Sequence, residues 1–333
     1  MRTRGHHRVR ICLVANTAAF ACLICAQGPD LPRHTPTRPV AGTIHICGSP
    51  QMGDLLKLYE QGFTRLQPAV HFEQDLTSTV SAVAGVSSGR AQIGLLGREI
   101  WPSEEQAFVS AKGYAPTVVD VATGSFNVPK ATFALMIFVP SRNPIRSVSM
   151  GQLEQIFASS GTPILNWGQL GLKGGWASRS VHLYGFNAEN DKAQIFRQMV
   201  FRRQQPWSTA LKAFSNLNGL DAGELIVRAV AADPDGIGIS NVAYATPAVR
   251  ALPISVREGD APVSPTRKTV ASRGYPLTRA VYMVVDRDPD PATVEFLRYV
   301  LSRQGRQAVV QEGNYLPLPP GIAKRELREL AAP

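Results

Sequence analysis

The sequence has 333 residues, of which 44% are hydrophobic and 18% are charged, and its formal net charge is +10. This composition excludes wholesale disorder, and the length favours two domains over one. The basic residues are dispersed along the chain, whereas a nucleic-acid-binding surface would group them in a denser stripe. We therefore expect no nucleic-acid partner.

The first 26 residues have the pattern of a signal peptide. Four arginines fall within the first ten residues, and an apolar run follows from Ile11 to Cys25. A run of about fifteen residues is shorter than the roughly 20 that a transmembrane helix needs. The pattern predicts export to the periplasm or the cell exterior with cleavage after Ala26. A lipoprotein-type site at Cys22 is the alternative, and it would leave a lipid anchor. Cleavage removes the four arginines, so the formal charge falls to about +6.

Cleavage of the leader also determines which cysteines remain in the mature chain, and the sequence after it indicates where ordered structure begins. Three of the four cysteines lie in the leader, so cleavage leaves only Cys47 and no intrachain disulfide can form. We interpret Cys47 as a small buried apolar side chain. Residues 27–41 contain four prolines and predict an extended tether, with ordered structure beginning at Gly42.

From Gly42 onward, short apolar runs alternate with segments whose apolar residues recur at helical spacing. The predicted strands are 43–47, 70–76, 92–96, 118–122, 131–139, 180–184, 237–240 and 279–285. The predicted helices are 52–66, 78–88, 150–158, 191–200, one capped by Asp221 and a long one opened by Asp290 and Pro291. Residues 259–272 are polar and predict a loop. Strands alternating with helices indicate an α/β fold with largely parallel sheets.

Short motifs recur in a fixed order along residues 42–320. They are GSPQM at 48–52, SGRAQIG at 88–94 followed by Arg98 and Glu99, FVPSRNP at 138–144, QLEQIF at 152–157 followed by NWGQLG at 166–171, GIGIS at 236–240, YPLTR at 275–279, LSRQGRQ at 301–307 and NYLPL at 314–318. As an ordered set, these motifs resemble the phosphate-binding proteins of ABC-type phosphate importers.

The resemblance implies a two-lobe periplasmic-binding-protein-like fold. Each lobe would be a mostly parallel sheet flanked by helices, and two crossovers would join the lobes. Lobe 1 would comprise residues 42–136 and 276–330, and lobe 2 residues 137–275. The resemblance further implies a monomer without cofactor that captures a small anion, phosphate or a related oxyanion, and delivers it to an ABC transporter permease.

The starts of the first two helices offer candidate ligands for such an anion. A desolvated oxyanion needs many hydrogen-bond donors, and helix N-termini with short hydroxyl side chains provide them. Ser49 stands at the first helix start, and Thr77, Ser78 and Thr79 crowd the second. Ordinary helix capping explains the same residues, and the two roles can coexist. Arg98 is either a further ligand or the partner of a structural ion pair.

The start of the third helix departs from the family pattern. By spacing, Phe186 stands where the family has an arginine, and residues 190–192 (Asn-Asp-Lys) stand where it has Ser-Gly-Thr. Loss of the arginine removes a bidentate donor, and the carboxylates of Glu189 and Asp191 oppose a dianion. The candidate ligands here are Asn187, Asn190 and Lys192. The open alternatives are a different oxyanion, a zwitterion, or an interaction or sensory module of the same fold with a degenerate pocket.

Signals for an enzyme or a metal site are weak. Residues 85–89 fit the G-x-S-x-G pattern of hydrolases, but they fall at the end of a predicted helix and not at a strand-to-helix turn. His45, His71 and His182 lie in separate predicted strands without metal-ligand spacing. No phosphate-binding loop or dinucleotide fingerprint is present. We therefore expect no catalysis and no metal.

Overall fold

The computed structural model describes residues 31–159, 161–201 and 205–330. The predicted leader, its possible lipid attachment at Cys22 and the start of the predicted tether lie outside the described residues. Within the described part of the chain, no helix combines the length and the apolar character that a membrane span requires.

Strands and helices alternate through most of the chain, as predicted. The strands are β1 Gly42–Gly48, β2 Val70–Asp75, β3 Ile93–Leu96, β4 Thr117–Thr123, β5 Met136–Pro140, β6 Val148–Ser149, β7 His182–Phe186, β8 Lys212–Phe214, β9 Gly236–Ser240, β10 Val249–Ala251, β11 Ile254–Ser255 and β12 Ala280–Val285. The helices are α1 Gly53–Thr64, α2 Ser81–Ser87, α3 Pro102–Lys112, α4 Met150–Phe157, α5 Asp191–Val200, α6 Ala222–Ala232, α7 Arg267–Ala271, α8 Pro291–Val300, α9 Arg303–Glu312 and α10 Pro320–Glu329.

The first five-stranded sheet has the order β2-β1-β3-β12-β4. The first three strands run parallel, whereas β12 is antiparallel to both of its neighbours. Every residue of β3 is buried, as expected for a central strand with both faces covered. Helix α1 packs against α8 and α9 through an apolar face that includes Leu55, Tyr59 and Phe63.

The second five-stranded sheet has the order β10-β5-β9-β7-β8. Strand β7 is parallel to β8 and β9, and β5 is antiparallel to β9 and β10. Its core contains Phe138, Ile239 and the fully buried Trp167. The chain leaves the first sheet after β4, builds the second sheet, and returns with β12. The lobe boundaries at 137 and 276 stay a prediction.

Residues before Gly42 already dock on the fold, so the prediction that ordered structure begins at that residue was wrong. Residues 31–41, named here the strap, form neither helix nor strand but lie on α8 and α9. Leu31 is 1% exposed. The His34 N–H donates to Gln304 Oε1 at 2.8 Å, and the Thr37 N–H donates to Glu295 Oε1 at 3.0 Å. Side chains of the helices thus satisfy the strap's backbone, which its prolines keep out of a regular element.

Two further segments differ from the sequence-based expectation. The predicted strand 131–139 is regular only from Met136, although residues 131–135 are also buried. The predicted loop 259–272 contains the short helix α7. Thr266 caps that helix, because its hydroxyl accepts the Thr269 N–H at 3.2 Å. A capped turn of this kind forms without the long apolar periodicity on which the prediction relied.

Candidate functional site

Ser49 lies at the junction of β1 and α1 and is fully buried. Its N–H donates to the carbonyl of Leu95, but its hydroxyl caps no helix and has no hydrogen-bond partner in the described part of the chain. Leaving such a group unsatisfied costs about 1–3 kcal/mol. The structure therefore does not show the side-chain capping that the sequence offered as an alternative, and the ligand role of Ser49 stays a prediction.

Two glycines make room around Ser49. Gly48 has φ +125°, and a Cβ on it would lie 2.4 Å from the carbonyl oxygen of Leu95. A Cβ on Gly97 would lie 2.7 Å from the hydroxyl oxygen of Ser49. Neither position tolerates a side chain without movement of its neighbours, which accounts for the Gly-Ser sequence of this turn.

The hydroxyl residues before α2 form local hydrogen bonds. Thr77 Oγ1 donates to Asp75 Oδ1 at 3.0 Å, and Ser78 Oγ accepts the Val80 N–H at 3.3 Å. Thr77 and Ser78 are exposed, and Thr79 is half-buried. No contact in the described residues joins these three hydroxyls to Ser49 or to α5, so their ligand role stays a prediction.

Arg98 is buried and forms a structural ion pair, the alternative that the sequence left open. Its Nη1 and Nη2 lie 2.8 and 2.6 Å from the two carboxylate oxygens of Glu104. Its guanidinium carbon also lies 3.9 Å from the ring centroid of Trp101. The bidentate pair and the stacking together hold the charge at the start of α3. A ligand role for Arg98 stays a prediction.

Asn190, one of the candidate ligands, caps the start of α5. Its Oδ1 accepts the Lys192 N–H at 3.0 Å, and Asn187 Oδ1 accepts the Glu189 N–H at 3.0 Å. Lys192 Nζ lies 3.0 Å from an oxygen of Asp191. Phe186, by contrast, is 1% exposed within the second core and donates no hydrogen bond there.

Arg279 is a buried arginine that no sequence pattern indicated as a ligand. It precedes β12, its side chain is 1% exposed, and its Nε and Nη2 each lie 3.2 Å from Glu99 Oε2. Burial raises the pKa of Asp191, but the charges of Lys192 and Arg279 outweigh it and hold that pKa below its usual value. Arg279 therefore acts electrostatically on the start of α5.

Further contacts gather these groups in one region. A Cβ on Gly124 would lie 2.6 Å from the carbonyl oxygen of Thr132 and 3.1 Å from that of Arg279. Lys192 Nζ lies 5.6 Å from the ring centroid of Phe133. The hydroxyl of Tyr315 donates to the carbonyl of Gln51, two residues after Ser49. The junction site, as we name this region, comprises Ser49, Glu99, Thr132, Asp191, Lys192 and Arg279.

The chemistry of the junction site suits a hydrogen-bonding anion. Arg279 and Lys192 are cations, and the hydroxyls of Ser49 and Thr132 are buried without a hydrogen-bond partner in the described residues. Two carboxylates, Glu99 and Asp191, balance the cations and can only accept hydrogen bonds while ionised. The sequence did not indicate Arg279 as a ligand, because it is a single arginine before an apolar strand and its partner Glu99 is 180 residues away.

One group of side chains has the composition of a metal site. Ligand atoms of His182, Asp233 and Asp235 lie within 4.8 Å of one another, although the sequence offered no metal-ligand spacing for His182. Their hydrogen bonds are made within the protein, since Tyr184 donates to Asp233 at 2.7 Å and Arg179 pairs with Asp235 at 2.6 Å. The group therefore supports no metal proposal.

The G-x-S-x-G pattern lies at the end of α2. Ser87 is half-buried, and its hydroxyl donates to the carbonyl of Ala84 at 3.1 Å, the usual local bond of a helical serine. This position is the one predicted, and it lacks the strand-to-helix turn that a hydrolase nucleophile requires.

Comparison with known proteins finds a matching family model and a similar protein of known name. A family model described as the PBP superfamily domain matches residues 34–304. The phosphate-binding protein PstS of Pseudomonas aeruginosa is 30% identical over 326 residues, which cover 95% of this chain and 96% of that protein.

Solved structures agree on the fold. PstS from Borrelia burgdorferi has a TM-score of 0.57 at 15% identity, over 83% of this chain and 98% of that one. An ABC-type phosphate transport receptor from Vibrio cholerae has a TM-score of 0.55 at 18% identity, over 82% and 99%. These likenesses, with the two helix-flanked sheets, confirm the predicted two-lobe α/β fold.

Proposed function

Because the chain belongs to the PBP superfamily, and within it to the family of the phosphate-binding protein PstS, we propose that it captures phosphate and delivers it to an ABC transporter permease. The observation that carries this proposal is the identity to PstS along nearly the whole length of both chains. The junction site supports it, because it contains the buried cation Arg279 and two buried hydroxyls without a hydrogen-bond partner in the described residues.

The acceptors of the junction site favour a protonated anion. Asp191, with its lowered pKa, stays ionised at neutral pH and can only accept a hydrogen bond. Hydrogen phosphate carries a proton that it can donate to such a carboxylate, whereas sulfate carries none at neutral pH. A carboxylate facing sulfate would therefore be an uncompensated like charge. We infer selectivity for phosphate and arsenate over sulfate.

The remaining parts of the proposal concern the location of the protein, its oligomeric state and its lack of enzymatic activity. The basic and apolar leader supports export to the periplasm or the cell exterior, with lipid attachment at Cys22 as the alternative. We further propose that the chain acts as a monomer and has no enzymatic activity, as expected for a protein that passes its ligand on unchanged.

Thermal unfolding of residues 27–333 against a panel of anions tests the proposal. Phosphate at 100 times its dissociation constant should add about 2.7 kcal/mol of stability. We expect a stabilising shift with phosphate and arsenate, and none with sulfate or small organic acids. A flat response to the whole panel would contradict phosphate capture and favour the interaction or sensory module. Turnover of a chromogenic ester that Ser87→Ala abolishes would contradict the absence of catalysis.

A further inference from the structure

A cavity that is separate from the junction site lies between the first lobe and the second lobe. Its volume is about 350 Å³. Trp101 and Ser103, at the start of α3, line it from the first lobe, and Glu189, Gln194, Arg197 and Gln198, before and along α5, line it from the second. None of these side chains belongs to the junction site. We name this space the seam cavity.

The seam cavity contains two opposite charges that do not pair with each other. Within the described residues, neither Arg197 nor Glu189 forms an ion pair, although both line the same space. Because a cation and an anion line the same cavity, the cavity is complementary to a ligand that carries both charges.

The other lining groups supply an apolar wall and neutral polar atoms. Trp101 packs against the core of the second lobe, and Arg98 stacks on its ring. Its indole Nε1 is buried and has no hydrogen-bond partner in the described part of the chain. The side-chain N–H of Gln194 donates to the carbonyl of Ala188 at 2.7 Å, so its amide orientation is held. Ser103 and Gln198 add a hydroxyl and an amide.

We propose that the seam cavity is a second ligand site, which binds a zwitterionic α-amino acid. The guanidinium of Arg197 pairs with the ligand's carboxylate, and the carboxylate of Glu189 accepts from its ammonium group. The ring of Trp101 contacts its side chain. A simple anion would leave Glu189 facing a like charge, and a simple cation would do the same to Arg197. The volume lies at the lower end of the roughly 300–1,000 Å³ usual for small-molecule sites, which suits a single amino acid.

This site is independent of phosphate capture, and the experiment keeps the two apart. The mature chain, residues 27–333, is saturated with phosphate and titrated calorimetrically with the common L-amino acids. The best binder is then compared with its carboxamide, which keeps only the positive charge, and with its deaminated acid, which keeps only the negative charge. We expect each of these two to bind at least about tenfold more weakly than the amino acid.

Three variants locate the site. Arg197→Gln should abolish amino-acid binding and leave phosphate binding unchanged. Arg228→Gln, which changes an exposed arginine on α6, is the matched control and should leave both unchanged. Binding should also change the tryptophan fluorescence of the wild-type chain, and Trp101→Phe should remove that change.

Three outcomes would overturn the proposal: no amino acid binds, the deaminated acid binds as tightly as the amino acid, or Arg197→Gln leaves the affinity unaltered. Amino-acid binding in a chain that does not bind phosphate would instead contradict the proposed function alone.

Discussion

At the scale of single residues, the buried hydroxyl of Ser49 connects stability with ligand binding. A hydroxyl that is buried without a partner destabilises the unliganded protein, and the same hydroxyl is free to bond a ligand. Removing the hydroxyl should therefore stabilise the unliganded protein and weaken ligand binding. A residue that only packs in the core would not show these two opposite changes.

Ser49→Ala should therefore raise the stability of the unliganded chain by about 1 kcal/mol, because it removes the desolvation cost of the hydroxyl. The same variant should show a smaller thermal shift with phosphate. Ser240→Ala is the control, since Ser240 is equally buried but donates to the carbonyl of Gly223 at 2.6 Å. It should lose stability in urea unfolding. Equal losses in both variants would show that Ser49 is only a structural residue.

His34 provides a pH-dependent test of the strap. Burial lowers the pKa of this histidine below its ordinary 6.5, Glu295 opposes that effect, and Arg298 adds to it. A histidine whose folded pKa is depressed favours folding in its neutral form. Its contribution is complete above the ordinary pKa and is lost as the pH falls through the folded pKa.

The free energy of unfolding should thus decrease between about pH 7.5 and about pH 5, and His34→Gln should reduce this decrease. His45→Gln is the matched control, because His45 lies at a partly exposed position beside Glu73. Urea unfolding at both pH values measures the difference. An identical pH dependence in the wild type and His34→Gln would contradict the role given to His34.

At the scale of elements, the strap is the segment whose behaviour differs most from its composition. Its prolines and polar residues are typical of a linker, yet Leu31 and Val40 are buried and Glu295 accepts two hydrogen bonds from Thr37. The composition of a segment indicates only its own tendency to form regular structure. The docking of the strap depends on side chains some 260 residues later in the chain, which its composition does not include.

Truncation tests whether the strap belongs to the folded unit. A chain that begins at Leu31 should unfold at the same temperature as one that begins at Gln27. A chain that begins at Gly42 should lose about 2–5 kcal/mol, the usual cost of removing buried apolar side chains. Equal melting temperatures for all three chains would show that the strap contributes nothing to stability.

The elements predicted most accurately are those with their own capping signals. Asp221 and Asp290 cap α6 and α8 as the sequence indicated, because a cap and its helix are neighbours in the chain. The junction site was only half predictable. Ser49 and Lys192 were found from the helix starts, whereas Arg279 and Thr132 depend on how β12 meets the first sheet.

At the scale of the whole molecule, the order of the motifs predicted the two-lobe fold, although each motif alone is short. The contacts between the lobes could not be predicted in the same way. Trp101 and Phe126 pack against the core of the second lobe, and Leu316 is part of that core. Such contacts join residues that neither periodicity nor spacing connects, so the seam cavity became visible only in the structure.

The central claim, that phosphate binds where the two lobes meet at Arg279, is tested most directly by calorimetric titration of the mature chain with phosphate. We expect the wild type and Arg273→Gln to bind alike, because Arg273 pairs with Asp120 and is not one of the junction-site residues. Arg279→Gln should lose binding. Lys192→Met, which removes a less buried charge from the opposite lobe, should weaken binding by about tenfold or more. Undiminished phosphate binding in folded Arg279→Gln and Lys192→Met would contradict the account.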